Sequence, residues 1–475
     1  MQSQKEPIVA LIKSISGIRG TIGGKTGENL SPLDIVKFTA AFGTLIKKKK
    51  GVTKVVIGRD ARPSGEMVSA LVTSTLQALG IDVIDLGLST TPTVEIAVPL
   101  EKAAGGIILT ASHNPVQWNA LKLLNDKGEF ISGKDGEEML KVAEKEEFDF
   151  APVTKLGGYS KNDTYLQKHI DLILKLPLVD VDAIKAKEFK VVVDAVNSSG
   201  GIAVPLLLKA LNVTVKELYC EPTGHFPHNP EPLPEHLMDI CREIKKGKYD
   251  LGIVVDPDVD RLALISEDGT PFGEEYTLVA VADYVLNASK KKNGSTVSNL
   301  SSTRALRDVT EKAGGEYFAA AVGEVNVVTM MKECNAVIGG EGNGGVIYPD
   351  LHYGRDALVG IALFLTHLAK SNMSVSRLRA KFPNYIISKN KIELTPTINV
   401  DKVLEEIKSK YKKQPINTID GVKIEFDKEW VHLRKSNTEP IIRIYAESDL
   451  EVKAENLAKK IIADIKEIIT EKVVA

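Results

Sequence analysis

The chain has 475 residues, of which 43% are hydrophobic and 26% charged, and its 61 basic side chains face 63 acidic ones for a formal net charge of −2. That composition excludes a disordered chain, and the balanced charge excludes a bulk attraction to nucleic acid or to an anionic membrane, so any selectivity for anions has to come from local sites. The length exceeds what one hydrophobic core supports and predicts three or four domains at roughly 100–200 residues each. The opening "MQSQKEPIVALIKS" lacks the long apolar core of a signal peptide, and no run approaches the ~20 apolar residues that span a bilayer. A cytoplasmic location is expected, without a nucleic-acid or membrane partner. Cys220, Cys241 and Cys334 are odd in number and far apart, which excludes a disulfide framework and a four-thiolate metal site and leaves reduced, inert thiols.

In chain order, "KSISGIRG" (13–20) is a glycine-flanked turn whose Arg19 either reaches an anion or lies on the surface. A helix closes on "KKKK" (47–50) before Gly51, where cations suit the negative end of the helix dipole, so the tetrad reads as a solvated terminus rather than a nucleic-acid patch. "KVVIGRD" (54–60) is a strand, and "SGEMVSALVTSTLQALG" (64–80) is a helix ending on glycine. This is the grammar of a mainly parallel sheet. "KVVIGRDARPSG" (54–65) is echoed by "KVVVDAVNSSGG" (190–201) and more faintly by "STVSNLSSTRAL" (295–306). Each echo is followed by a second strand ending in an unusual loop: "GGIILTASHNP" (105–115), "YDLGIVVDPDVDR" (249–261) and "NAVIGGEGNGG" (335–345). Three similar mixed-sheet α/β domains are expected. Since open α/β sheets bind ligands beyond the carboxyl ends of their strands, the three loops are expected to face one central cleft. After about residue 385 the pattern changes to "KIELTP", "GVKIEF", "WVHLRKSNTEPIIRIYAES" and a long amphipathic helix, the mark of a smaller α+β domain. The expected limits are 1–160, 161–270, 271–385 and 386–475.

The loops carry the chemistry. In "TASHNP" (110–115) the polar residues emerge where an apolar strand stops, so Ser112 is expected to be presented rather than buried. "DPDVDR" sets Asp256, Asp258 and Asp260 at every second position, where mutual repulsion is relieved by a hard divalent cation, Mg²⁺ or Mn²⁺, with room left for water or a phosphate oxygen. An acidic turn without metal is the plain alternative. Arg261 follows, a cation suited to bidentate contact with phosphate. "GEGNGG" (340–345) surrounds Glu341 and Asn343 with glycines; its spacing is not the dinucleotide fingerprint, and a carboxylate beside an amide suits sugar hydroxyls. "RKSNTEP" (434–440) gathers Arg434, Ser436, Asn437 and Thr438 ahead of a strand bearing Arg443, a turn able to surround a phosphate, although a plain Asn-containing turn explains it nearly as well. Around Ser112 there is no G-x-S-x-G elbow. As a phosphoryl carrier, however, its seryl phosphate would supply an oxygen to the metal held by the aspartates, while His113, Lys122, Arg19 and Arg261 stabilise the transferring group.

"TASHNP" with "NALK", "DPDVDR", "GEGNGG" and "RKSNTEP", in this order and spanning nearly the whole chain, resemble the α-D-phosphohexomutases. The resemblance implies that Ser112 is the phosphoserine and that Asp256, Asp258 and Asp260 bind one Mg²⁺ with its phosphate. It implies too that Glu341 and Asn343 contact sugar hydroxyls, that Arg434, Ser436, Asn437 and Thr438 hold the phosphate not being transferred, and that Arg19, Lys122, His113 and Arg261 line the reacting end. The implied reaction interconverts hexose 6-phosphate and 1-phosphate through a hexose 1,6-bisphosphate, in a monomer or homodimer. Gly345 stands where many members have a histidine, which leaves proton transfer to His113 or Lys122. The pairing of "GEGNGG" with "GRDAL" (354–358) looks like a branch assigned to glucosamine phosphate but also to mannose and glucose phosphates, and glucosamine 6-phosphate is the expected substrate. A Mg²⁺-dependent sugar-phosphate phosphatase and a non-catalytic sugar-phosphate sensor are the rival readings.

Overall fold

The computed structural model describes residues 10–14, 17–51, 54–289, 293–394, 398–435 and 441–470, with 471–474 in backbone alone. The chain divides into two compact units, Met1–Thr277 with Gly344–Leu378, and Leu278–Asn343 with Arg379–Ala475.

The first unit begins with seven strands: β1 (Ile12–Ser14), β2 (Gly17–Thr21), β3 (Lys54–Arg59), β4 (Asp82–Leu88), β5 (Gly105–Leu109), β6 (Trp118–Leu124) and β7 (Tyr159–Lys161). They form one sheet in the order β1-β2-β6-β5-β3-β4-β7. β3 runs parallel to β4 and β5, whereas β6 is antiparallel to both β5 and β2. Val55 and Ile57 of β3 and Ile107 and Leu109 of β5 are buried against helices Pro32–Lys50 and Gly65–Ala78, through Phe38, Phe42, Val68, Val72 and Leu76. Each fully buried aliphatic side chain there contributes about 1.5–3 kcal/mol. The first of these helices is started by a Ser31–Asp34 capping box and stopped at Gly51 after Lys47 to Lys50, as the charge pattern predicts. Lys49 and Lys50 pair at the surface with Asp135 and Asp126.

A second sheet repeats the plan with β8 (Lys190–Asp194), β9 (Thr214–Leu218), β10 (Leu251–Val255) and β11 (Leu262–Ser266), in the order β11-β10-β8-β9. β8 is parallel to β9 and β10, and β11 is antiparallel to β10. In both sheets a fully buried five-residue strand, β5 or β10, turns back into an antiparallel neighbour. The connecting loops are "TASHNP" and "DPDVDR".

In the second unit β12 (Thr296–Asn299), β13 (Tyr317–Ala320) and β14 (Ile338–Glu341) lie parallel in the order β13-β12-β14. The chain then re-enters the first unit with β15 (Gly345–Ile347) and helix Ala357–Ser371. Its last part carries β16 (Ile386–Glu393), β17 (Ile416–Asn417), β18 (Val422–Glu425), β19 (Trp430–Lys435) and β20 (Ile441–Ser448), an antiparallel sheet ordered β16-β20-β19-β18-β17. Helices Val400–Lys410 and Glu451–Val474 cover it, burying Leu404, Ile407, Ile461 and Ile465 against Val431, Leu433, Ile442 and Ile444. The architecture is thus three α/β parts followed by an α+β part, with mixed sheets, as the alternation of strand and helix signals predicts.

Cys220, Cys241 and Cys334 are free thiols. Among the described residues no helix is long and apolar enough to cross a membrane.

Candidate active site

Ser112 stands two residues beyond Thr110, at the carboxyl end of β5, with a backbone φ of 47°. That left-handed conformation is uncommon for a residue with a side chain and is held only where surroundings over-determine it. Arg62 supplies the constraint. Its buried guanidinium donates to the carbonyls of Ser112, Asn114 (2.7 Å), Pro115 (2.6 Å) and Trp118 (3.0 Å), while its Nε donates to Asp60 Oδ2 at 2.9 Å. Thr110 Oγ1 donates to the same Asp60 oxygen at 2.7 Å and accepts the Ser112 amide at 2.9 Å. Burial outweighs the pairing with Arg62 and moves the Asp60 carboxyl above its usual range. The expectation that Ser112 is presented to solvent is corrected: the residue is 7% exposed. A strand end is local information, whereas the side chains that cover it come from far along the chain.

Chief among these is Asp256. Ser112 Oγ donates to Asp256 Oδ2 at 2.7 Å, and His113 Nδ1 lies 3.4 Å from the same hydroxyl. Asp256 Oδ1 in turn accepts the amides of Asp260 (3.2 Å) and Arg261 (3.1 Å), which curls the loop so that all three aspartates point inward. Ser198 and Ser199 fix it from below through the Pro257 carbonyl, at 2.8 and 2.9 Å. Val259, a β-branched residue at φ 64°, carries the strain of this tight turn.

Asp256, Asp258 and Asp260 are all buried, and one oxygen of each lies within 4.8 Å of the others, a grouping that could hold a metal ion. Burial and the charges of Asp258 and Asp260 push Asp256 well above the usual carboxyl range. Asp258 Oδ2 accepts from Lys122 Nζ at 2.7 Å and from Thr91 Oγ1 at 2.5 Å. Asp260 Oδ2 accepts from Arg355 at 2.7 Å and from Lys122 at 3.4 Å. The Oδ1 atoms of Asp258 and Asp260 are buried and accept no hydrogen bond among the described residues. Buried carboxylate oxygens without donors are costly unless a cation meets them. An all-oxygen donor set of this kind suits a hard divalent ion.

Cations surround the acidic group. Lys122 stands on β6 opposite Ile108 of β5. Burial opposes its charge, but Asp258 and Asp260 outweigh burial and hold its ammonium above the usual range. Arg19 stands on β2 opposite Ala120 of β6, reached by a turn at Gly17 whose φ is 121° and where a Cβ would fall 2.1 Å from the Leu121 carbonyl oxygen. Burial and the neighbouring Arg261 lower the Arg19 pKa. Arg261 pairs with Glu231 at 3.2 Å. Burial, then the charges of Arg261, Arg19 and Arg355, depress His113 to about 2, so this imidazole is neutral.

The remaining candidates stand in the second unit. Glu341, at the end of β14, is buried and accepts from Asn299 Nδ2 at 2.8 Å and from the Gly323 amide at 3.2 Å. Asn343 follows it, its Oδ1 buried and without a hydrogen bond among the described residues. Arg434 of β19 is paired across the ladder with Arg443 of β20, which is itself paired with Lys391 of β16, so three cations line one face of the sheet. Like charges directly opposite cost stability unless an anion offsets them. Arg434 is also held by Asp420 at 2.8 Å. Ser436, Asn437 and Thr438 lie outside the described residues. Arg62, Thr91 and Arg355 were not expected from the sequence, since an arginine in "GRDAR" or "GRDAL" and a threonine in "STTPT" carry no local sign of what they touch.

Fold and site together define a multidomain α/β protein with a buried acidic group, able to hold a metal ion, beside a serine on a separate sheet. Comparison with known sequences gives the family. Four successive profiles match: phosphoglucomutase/phosphomannomutase α/β/α domain I over residues 11–150, domain II over 167–269, domain III over 273–385 and the C-terminal domain over 393–464. The chain belongs to the phosphoglucomutase/phosphomannomutase family. It is 37% identical over 441 residues to a phosphoglucomutase/phosphomannomutase of Thermococcus kodakarensis, covering 92% of this chain and 95% of that one. To a phosphoglucosamine/phosphogalactosamine mutase of Sulfurisphaera tokodaii it is 32% identical over 459 residues, covering 95% and 98%. A crystal structure of a phosphoglucomutase/phosphomannomutase family protein from Burkholderia thailandensis superposes with a TM-score of 0.83 at 26% identity over 97% of both chains.

Proposed function

We propose that the protein is a hexose-phosphate mutase, an intramolecular phosphotransferase that interconverts hexose 6-phosphate and hexose 1-phosphate, and that Ser112 carries the phosphoryl group. The observation that bears most weight is the 2.7 Å contact between Ser112 Oγ and Asp256, in the loop where the Oδ1 atoms of Asp258 and Asp260 have no donor among the described residues. Asp256, Asp258 and Asp260 would hold one Mg²⁺. When bound, the ion supplies Lewis-acid stabilisation of charge on the phosphoryl oxygens.

The chain's own groups account for the rest. In each half-reaction the bond from phosphorus to one oxygen, on Ser112 or on the sugar, breaks as a bond to the other forms; the attacking hydroxyl loses a proton and the departing oxygen gains one. Lys122, whose ammonium Asp258 and Asp260 favour, serves with Arg19 and Arg261 as electrostatic support for the transferring group. His113, whose Nδ1 lies 3.4 Å from the Ser112 hydroxyl, is the group to which proton transfer is assigned by position, although burial and the surrounding arginines keep it a weak base. Glu341 and Asn343 are assigned to sugar hydroxyls. Arg434 and Arg443, with Ser436, Asn437 and Thr438, are assigned to the phosphate at rest, and a hexose 1,6-bisphosphate is the intermediate. We place the domain limits at residues 160, 270 and 385, and take the working form to be a monomer or homodimer.

Glucosamine 6-phosphate is the proposed preferred substrate, a reading in keeping with the Sulfurisphaera relative. The 37% identity to the Thermococcus relative carries the second reading, glucose and mannose phosphates. The test is a parallel assay of the phosphorylated enzyme with Mg²⁺ on glucosamine, glucose and mannose 1-phosphates, with free phosphate followed alongside. Formation of 6-phosphate without phosphate release is expected; stoichiometric release of phosphate would make the protein a phosphatase, and equal rates on all three sugars would remove the amino-sugar preference.

A further inference from the structure

Arg355 lies just before helix Ala357–Ser371, in the turn that returns from β15, where it bridges Ile347. It is 8% exposed and donates through one terminal nitrogen to Asp260 Oδ2 at 2.7 Å. Lys122 approaches that same oxygen and takes Asp258 Oδ2 as well. Lys122 therefore occupies the Oδ2 side of both aspartates and Arg355 that of Asp260, and among the described residues the two Oδ1 atoms have no donor. A carboxylate whose outer oxygen is held by a fixed guanidinium cannot rotate, so its inner oxygen keeps its direction.

The residues flanking Arg355 are themselves locked. Asp356 caps the helix, its Oδ1 accepting from the Leu358 amide at 2.8 Å. Its Oδ2 meets His169 Nε2 at 2.9 Å and His352 Nε2 at 3.3 Å. The second nitrogen of each ring is anchored on one helix, Thr91–Leu100: His169 Nδ1 to Thr93 Oγ1 at 3.0 Å, and His352 Nδ1 to Glu95 Oε2 at 3.4 Å. On the other side of Arg355, a Cβ at Gly354 would fall 1.9 Å from Glu95 Oε2, so the turn packs directly on that carboxylate. The same helix begins with Thr91, whose hydroxyl holds Asp258. Burial opposes the charge of Asp356, but the two histidines outweigh it and hold its carboxyl below the usual range. The cluster thus ties the grips on Asp258 and Asp260 to one rigid support.

We propose that Arg355 is a positioning residue that fixes Asp260 for divalent-cation binding, and that the cluster of buried Glu95, Asp356 and His169 with half-buried His352 acts on the site by seating Arg355. The proposal rests on the reading of the three aspartates as a metal site. Its test is Mn²⁺ binding to the purified full-length chain, read from the electron paramagnetic resonance of free Mn²⁺, with melting curves for every variant. Wild type is expected to bind Mn²⁺ and Asp258→Asn to lose it. Arg355→Ala is expected to bind at least about tenfold more weakly, with Arg355→Lys recovering part of the loss. His352→Ala is expected to weaken binding in the same direction, and the double variant to lose no more than Arg355→Ala alone. Should Arg355→Ala not fold, Arg355→Gln replaces it with the same expectation. Wild-type affinity in the Arg355 variants, or additive losses in the double variant, would overturn the proposal while leaving the aspartate site intact. Absence of Mn²⁺ binding in wild type, or no effect of Asp258→Asn, would overturn both readings. A second equivalent of metal, lost in His169→Ala, would make the cluster a metal site rather than a seat for Arg355.

Discussion

Ser112 and Asp256 lie 144 residues apart in sequence, yet their side chains share a hydrogen bond of 2.7 Å. The bond joins the tip of one sheet to the tip of the next, since Ser112 follows β5 and Asp256 follows β10. Ser112→Ala removes the proposed carrier and leaves the rest of the site in place. Turnover should fall by on the order of a thousandfold or more. Intact-mass spectrometry after incubation with hexose bisphosphate should find one phosphate on the wild-type chain and none on the variant. A variant that retains wild-type turnover removes Ser112 from the mechanism.

Three buried carboxylates within one loop repel one another, and two of their oxygens have no donor among the described residues. A bound cation should therefore raise stability as well as permit turnover, by RT ln(1 + [L]/Kd), about 2.7 kcal/mol at a hundredfold excess over Kd. Chelation should lower the melting temperature and abolish activity, and Mg²⁺ should restore both. In Asp258→Asn the melting temperature should no longer respond to Mg²⁺, and a response equal to wild type would place the metal elsewhere.

Arg62 is buried with Asp60 and holds the carbonyls of Ser112, Asn114, Pro115 and Trp118. Arg62→Ala strands a buried carboxylate and unfastens the loop, and should lower the unfolding free energy by about 3–5 kcal/mol. Arg62→Lys restores a charge but not a planar fork of five donors, so it should recover stability more than turnover. Urea unfolding and steady-state rates on the two variants check this, and equal recovery of both properties would contradict it.

His432, buried on β19, accepts or donates at 2.9 Å to Ser301 Oγ and at 2.6 Å to the Asp420 carbonyl. Burial, helped by the Lys423 ammonium, lowers its pKa to about 4. The unfolded chain, with an ordinary histidine near 6.5, therefore binds more protons than the native one between those values. Stability from this group is present above pH ~6.5 and is lost as pH falls toward 4, on the order of 3 kcal/mol in all. His432→Gln should flatten that part of the stability profile measured by urea unfolding at pH 7.5 and 4.5, and an unchanged slope would show that other groups set it.

Local chemistry determined much of this protein. The Val and Ile runs of β5 and β10, the glycines before them and the polar turns after them mark strands and loops without reference to anything distant. Three aspartates at alternate positions mark a candidate cation site for the same reason, because their mutual repulsion is a property of six consecutive residues. Only the tertiary structure decided that Ser112 is covered rather than presented, that Arg62 fastens its loop, and that Thr91 grips Asp258 while Arg355 grips Asp260. It also decided that Asp258 and Asp260 favour the Lys122 ammonium while burial and the charges of Arg261 and Arg19 disfavour a charged His113. The reason is geometric: a strand or turn is written in its own few residues, whereas a buried ion pair depends on which distant segments the sheets bring to one place.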